Sequence, residues 1–149
     1  SVYYLQNEVA FGELVRGMHH WGASLVIVMM FLHTLRVFFT GSYKKPRELN
    51  WMVGVGIFLV MMGLGFTGYL LPWDMKALFA TKVGIEIAAS VPFIGEYIKI
   101  LLAGDSTILG AQTLTRFFAI HVFFLPAALF ALLAAHFIMI RRQGISGPL

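Results

Sequence analysis

No cysteine occurs in the 149 residues, and only 12% of them are charged. The first absence excludes disulfides, thiolate-held zinc and iron–sulfur clusters ligated by this chain. It carries no information about redox compartment, because a chain embedded in hydrocarbon needs no disulfide. The second absence excludes a soluble domain, in which about a quarter of the residues are charged. No basic stripe suited to nucleic acid is present, and the formal charge of +4 suits anionic lipid instead. The opening SVYYLQNEVAFGE lacks a basic stretch followed by an apolar core, so no signal peptide is expected there. What abounds is apolar: 59% hydrophobic residues at a mean hydropathy of +0.82.

About 20 apolar residues cross roughly 30 Å of hydrocarbon. Residues 18–39, 51–71 and 114–140 meet that length, so the expected fold is an all-α membrane protein, a transmembrane helix bundle. Residues 1–17 read as an interfacial lead-in, the tail of a loop that follows an earlier span. Gly41 and Pro46 end the first span, and Lys44, Lys45 and Arg47 mark the 40–50 loop as cytoplasmic. Residues 72–113 are too apolar for a bare loop. They predict two short amphipathic helices, 77–89 and 93–102, lying on the outer surface as the roof of a pocket. Arg141 and Arg142 return the chain to the cytoplasmic side, where 141–149 form a tail that reads as a linker.

All five histidines lie in the first and third spans, where hydrocarbon makes them costly, and four of them form two spaced pairs. His19 and His33 are 14 residues apart, about four turns, so they share one helix face with roughly 21 Å of rise between them. His121 and His136 are 15 residues apart, which leaves about 60° of offset that a kink at Pro126 can partly absorb. Both spans run from the outer to the inner side. His19 is therefore level with His121, and His33 with His136. Each pair is placed to clamp one planar metal macrocycle, and neutral imidazole is a good axial ligand for haem iron. The second span has no histidine but has Gly54 and Gly68, again 14 residues apart, which give a close neighbour room. Arg16 and Arg116 sit near the outer level, Arg36 and Arg141 near the inner, where haem propionates need partners.

Simpler readings exist for each feature alone. An intramembrane histidine can be a hydrogen-bonded packing residue, glycines can serve helix packing, and arginines can report topology. The equal spacing of two pairs on co-directional helices favours the di-haem bundle. A divalent metal site is disfavoured because neither histidine span carries a carboxylate. His20, beside His19, points elsewhere on the helix.

The segments MHHWGAS, FLHTLRVFFTGSYKKPREL, GFTGYLLPWD, TLTRFFAIH and AAHFIMIRRQGISGPL resemble the cytochrome b subunit of quinol:cytochrome c reductases, the bc1/b6f family, over essentially the whole chain. The 15-residue spacing and the GISGPL ending resemble the split b6 type, and the wording is nearest to the menaquinol-using branch of Gram-positive bacilli. The resemblance implies three of the usual four spans. It implies two haem b, the lower-potential one held by His19 and His121 near the outer face, the other by His33 and His136 near the inner face. It implies a quinol-oxidation pocket lined by Tyr69, Leu71, Phe79, Ala80 and Val83, with Ala80 standing where mitochondrial-type members have glycine. Arg141 would lie close to the quinone-reduction site. His20 stands where plastid-type proteins have an arginine.

The resemblance further implies a Q cycle in the bacterial cell membrane. The partners would be a Rieske iron–sulfur protein, a cytochrome c-type subunit, the C-terminal cytochrome b part or subunit IV, and lipids, in a homodimeric complex. The quinone would be menaquinone. A further covalent haem c belongs to the region of the earlier span in the b6 type and stays open. Two other readings stand beside this one: a di-haem b anchor of another respiratory dehydrogenase, and a non-redox membrane scaffold.

Overall fold

The computed structural model describes residues 2–104 and 109–146. All regular structure in it is helical: α1 Val2–Asn7, α2 Gly12–Phe39, α3 Glu48–Leu70, α4 Met75–Ala89, α5 Gly95–Ala103, α6 Ala111–Ala119 and α7 Leu125–Gln143, with a π-helical turn Ile120–Phe124 joining the last two. Three helices have the length and hydropathy to cross a membrane: Gly12–Phe39, Glu48–Leu70 and the continuous Ala111–Gln143. The chain is a multi-pass membrane protein.

The first span starts earlier than hydropathy alone indicates. Leu14 to His20 contain no proline, the single Gly17 is tolerated within the helix, and Glu13 in the first turn complements the positive end of the helix dipole. Arg16 and His19 therefore belong to one unbroken helix. Its far end closes on Gly41, whose φ of 64° is left-handed. The Gly41 amide donates to Phe38 O and the Ser42 amide to Val37 O, the bond pattern by which a glycine after the helix satisfies its last carbonyls.

At the other side α3 stops at Leu70. Pro72 lacks an amide hydrogen, Trp73 turns through a φ of 55°, and Asp74 accepts from the Ala77 amide at 2.8 Å to start α4. The small apolar core lies here. Leu70, Ile85, Ala103 and Phe117 bury one another where α3, α4, α5 and α6 meet. The buried hydroxyls among them are satisfied locally. Thr113 Oγ1 donates to Ala103 O and Thr81 Oγ1 to Ala77 O, both at 2.8 Å.

Between these ends the packing is lopsided. α3 lies closely against α7, whereas α2 touches only α1 and α3 among the described residues. No Cα of α2 comes within 8 Å of a Cα in α6, the π turn or α7. No residue of α2 is buried. A cleft thus runs between the first and third spans, floored by α3.

The tail folds back rather than leaving as a linker. Arg47 donates to Gly144 O at 3.3 Å and Ile145 O at 3.2 Å, and Ser42 Oγ shares a proton with Ser146 Oγ at 2.8 Å. Residues 147–149 lie outside the described residues.

Candidate functional site

The cleft is where the histidines meet. His19 from α2 faces His121 from the π turn, with ring centroids 6.2 Å apart and planes at 81°. Two imidazoles on opposite sides of one metal, each at a bond of roughly 2 Å with the nitrogen about 1 Å from its ring centre, stand about 6 Å apart. The spacing therefore suits a trans pair. The backbones on either side are too far apart to close the gap themselves.

The His121 ring is held from the floor of the cleft. Its Nδ1 lies 3.0 Å from Thr67 Oγ1 on α3. A Cβ at Gly68 would stand 2.7 Å from its Cε1, closer than real contacts allow, so the ring rests where a side chain is missing. One helical repeat inward, a Cβ at Gly54 would meet His136 Cε1 at an ordinary 3.5 Å. Both histidines of the third span thus lie on glycines of α3 that are 14 residues apart, although the histidines themselves are 15 apart.

The π turn reconciles the two numbers. The Leu125 amide bonds to Ile120 O, five residues back, which takes up one residue more than an α-turn. The phase of His136 relative to His121 becomes that of a 14-residue spacing, the same as the His19–His33 pair. Pro126 begins just after this turn, within the first two residues of α7. The distortion expected between the two histidines takes the form of this π turn, directly ahead of Pro126.

At the inner level His33 and His136 line a cavity of about 520 Å³ with Arg36, Arg47, Asn50 and Gly54. His136 Nδ1 has no side-chain partner among the described residues, and its ring lies by the Asn50 backbone carbonyl. Two imidazoles lining a cavity with a glycine floor and cationic side chains fit a group that brings a metal and acidic substituents of its own.

The expected arginines divide. Arg36 lines the inner cavity. Arg16 and Arg141 are exposed on their helices, and Arg141 is not among the residues lining the cavity. Arg116 is engaged elsewhere: its Nη1 donates to the Ile100 and Leu101 carbonyls and pins α5 to the start of the third span. Arg47, read from sequence only as a topology signal, lines the cavity. His20 meets Trp21 edge-on at 5.7 Å and joins neither pair.

The residues expected at a quinol pocket also divide. Leu71 and Ala80 pack against the outer core cluster. Tyr69, Phe79 and Val83 are exposed on the same end of the molecule. On this end Lys99 Nζ pairs with Glu86 Oε1 at 3.1 Å, tying α5 to α4, and the bond and charge of Glu86 raise the Lys99 pKa above its ordinary 10.5.

An all-helical membrane chain with a histidine-lined cleft between two of its spans is the class that fold and site define. A family model described as "Cytochrome b(N-terminal)/b6/petB" matches residues 24–149, and the chain belongs to this cytochrome b N-terminal/b6 family. Over its full length it is 84% identical to the "Menaquinol:cytochrome c reductase cytochrome b subunit" of Geobacillus thermodenitrificans and 83% identical to that of Bacillus subtilis (strain 168), covering 66% of each. It is 48% identical to the "Cytochrome b6" of Synechocystis sp., covering 67% of it. The chain spans a little less than two thirds of the two bacillar relatives.

Proposed function

We propose that this chain is the di-haem part of a menaquinol:cytochrome c reductase cytochrome b subunit and carries electrons across a bacterial cell membrane. The observation that carries the reading is the His19–His121 pair, 6.2 Å between centroids across helices that stay more than 8 Å apart. Membership of the cytochrome b family and the names of the bacillar relatives support it.

In this reading His19 and His121 hold one haem b at the outer level, and His33 and His136 hold a second about 21 Å further in, given 1.5 Å of rise per residue. Bound there, haem supplies reversible one-electron redox chemistry. The residues of the chain do the positioning. Gly68 and Gly54 clear the floor of the cleft, and the π turn brings both third-span imidazoles onto one face. Arg36 and Arg47 bring positive charge to the inner cavity, where acidic substituents need partners in a dry medium. Arg16, Arg116 and Arg141 keep this role only as proposals, and Arg116 would exercise it with donors other than Nη1.

Quinol is oxidised near the outer face, with Tyr69, Leu71, Phe79, Ala80 and Val83 contributing to the pocket. One electron goes to a Rieske iron–sulfur partner. The other crosses between the two histidine levels to a quinone near the inner face, and a cytochrome c-type subunit receives the first. The acidic side of the quinol site belongs to the C-terminal cytochrome b part or a subunit IV. Reduced-minus-oxidised spectra of the purified intact complex test the reading. Two b-type components are expected, and menaquinol-dependent cytochrome c reduction should be lost with His33→Ala. A complex without b-type absorbance would overturn it.

A further inference from the structure

The Thr67 hydroxyl carries one hydrogen and sits within hydrogen-bonding distance of three atoms. Gly63 O lies at 2.8 Å, Leu64 O at 3.3 Å and His121 Nδ1 at 3.0 Å. The two carbonyls can only accept, so the hydroxyl hydrogen goes to Gly63 O and partly to Leu64 O. Were it turned to His121 instead, a lone pair of Oγ1 would face the Gly63 carbonyl at 2.8 Å with no proton between them. Toward the ring Thr67 therefore presents a lone pair, and His121 Nδ1 must supply the proton. A neutral imidazole protonated on Nδ1 is bare on Nε2.

The arrangement is well fixed. Thr67 is 5% exposed. A threonine that bonds back to the carbonyl four residues earlier is confined to few χ1 states. Gly68 receives the ring alongside, with a built Cβ 2.7 Å from Cε1. The inner level has no hydroxyl in the corresponding place. Fourteen residues before Thr67 and Gly68 stand Val53 and Gly54, so the repeat on α3 keeps the glycine and replaces the hydroxyl by methyl groups. His136 Nδ1 has no side-chain partner among the described residues, and its ring lies by the Asn50 backbone carbonyl, as that of His121 lies by the Leu64 carbonyl.

We infer that Thr67 is a positioning residue for the outer level: it fixes His121 as the Nδ1–H tautomer, offers Nε2 to the haem iron and raises the electron-donor strength of that ligand. The inference rests on the haem reading above. An imidazole that donates its distal N–H to an oxygen is a stronger electron donor through the other nitrogen. A stronger donor favours the oxidised iron, so Thr67 lowers the outer midpoint potential.

Redox titration of the intact complex tests this with Thr67→Val and Thr67→Ser. The valine variant keeps the shape and removes the acceptor. Its outer b component should move to a higher midpoint with the inner component unchanged, and the serine variant should restore the original value. An unmoved outer midpoint in the valine variant, or an equal movement of both, overturns the inference. If the valine variant does not assemble, Thr67→Cys, with a weaker acceptor, replaces it: an upward shift supports the inference and no shift overturns it. Failure of the haem reading is distinct, since the unaltered complex would then lack two b components altogether.

Discussion

His19 and His121 meet across a gap that their own helices leave open. Their ring centroids stand 6.2 Å apart, while α2 and the third span keep more than 8 Å between Cα atoms throughout. A pair of polar rings in an unclosed apolar cleft is costly in hydrocarbon unless something between them satisfies both. The floor of that cleft is α3, and its glycines set the clearance.

The two glycines should therefore differ in tolerance. Gly68→Ala forces the His121 ring off its seat, because the new Cβ falls 2.7 Å from Cε1. Overpacking of this kind costs about 1–3 kcal/mol. Loss of the outer b component from the purified complex is expected. Gly54→Ala meets His136 at 3.5 Å and should leave the inner component in place. Haem stoichiometry and the split of the b-type band measure both.

Arg116 separates a structural role from a propionate role. Its Nη1 donates to the carbonyls of Ile100 and Leu101. Removing a donor from such carbonyls costs about 1–3 kcal/mol where they stay dry. Arg116→Ala should free α5 and expose its connection to α6 to limited proteolysis while haem content stays near normal. Selective loss of outer haem with an intact connection would favour the propionate role.

The Glu86–Lys99 pair predicts a pH dependence on the alkaline side. The folded pKa of Lys99 is raised, first by its hydrogen bond to Glu86 and then by attraction to the same carboxylate. A cationic group with a raised pKa adds stability that is full below its unfolded value, here 10.5, and is lost as pH climbs through the folded value. The pair is solvent-exposed, so the effect is small. The Tm advantage over Lys99→Met should be slight, constant from neutral pH up to the unfolded value, and vanish above the folded value. An advantage that persists undiminished at still higher pH would contradict the assignment.

Arg47 links the first loop to the tail through Gly144 O and Ile145 O. Arg47→Ala should release the tail at the inner end. Faster hydrogen exchange at residues 144–146 and at the loop, with the outer b component unchanged, is the expected outcome. Unaltered exchange there would show that the serine bridge alone holds the tail.

The sequence was most informative where periodicity is simple. Hydropathy placed the three spans, and the 14-residue spacing of His19 and His33 placed them on one face. The resemblance in GFTGYLLPWD and AAHFIMIRRQGISGPL led to the family to which the chain belongs. What it hid was what departs from ideal repeats. A spacing of 15 residues in the third span reads as an offset at 100° per residue, and Pro126 marks a distortion that absorbs it, but no residue type in IHVFF announces that the distortion is a π turn. Thr67 is one of several span hydroxyls, and only the fold shows that it lies against His121. Arg47 sits in a basic run, KKPR, that looks like topology alone, while Arg116 looks free until α5 folds onto it.

The pairing of histidines across the cleft is the central claim, and one redox titration tests it most directly. Intact complexes carrying His19→Ala, His121→Ala, His33→Ala and His136→Ala are titrated side by side, following the b-type band. His19→Ala and His121→Ala should remove the same component, and His33→Ala and His136→Ala the other. If His19→Ala and His33→Ala remove the same component, or if none of the four removes either, the account is contradicted.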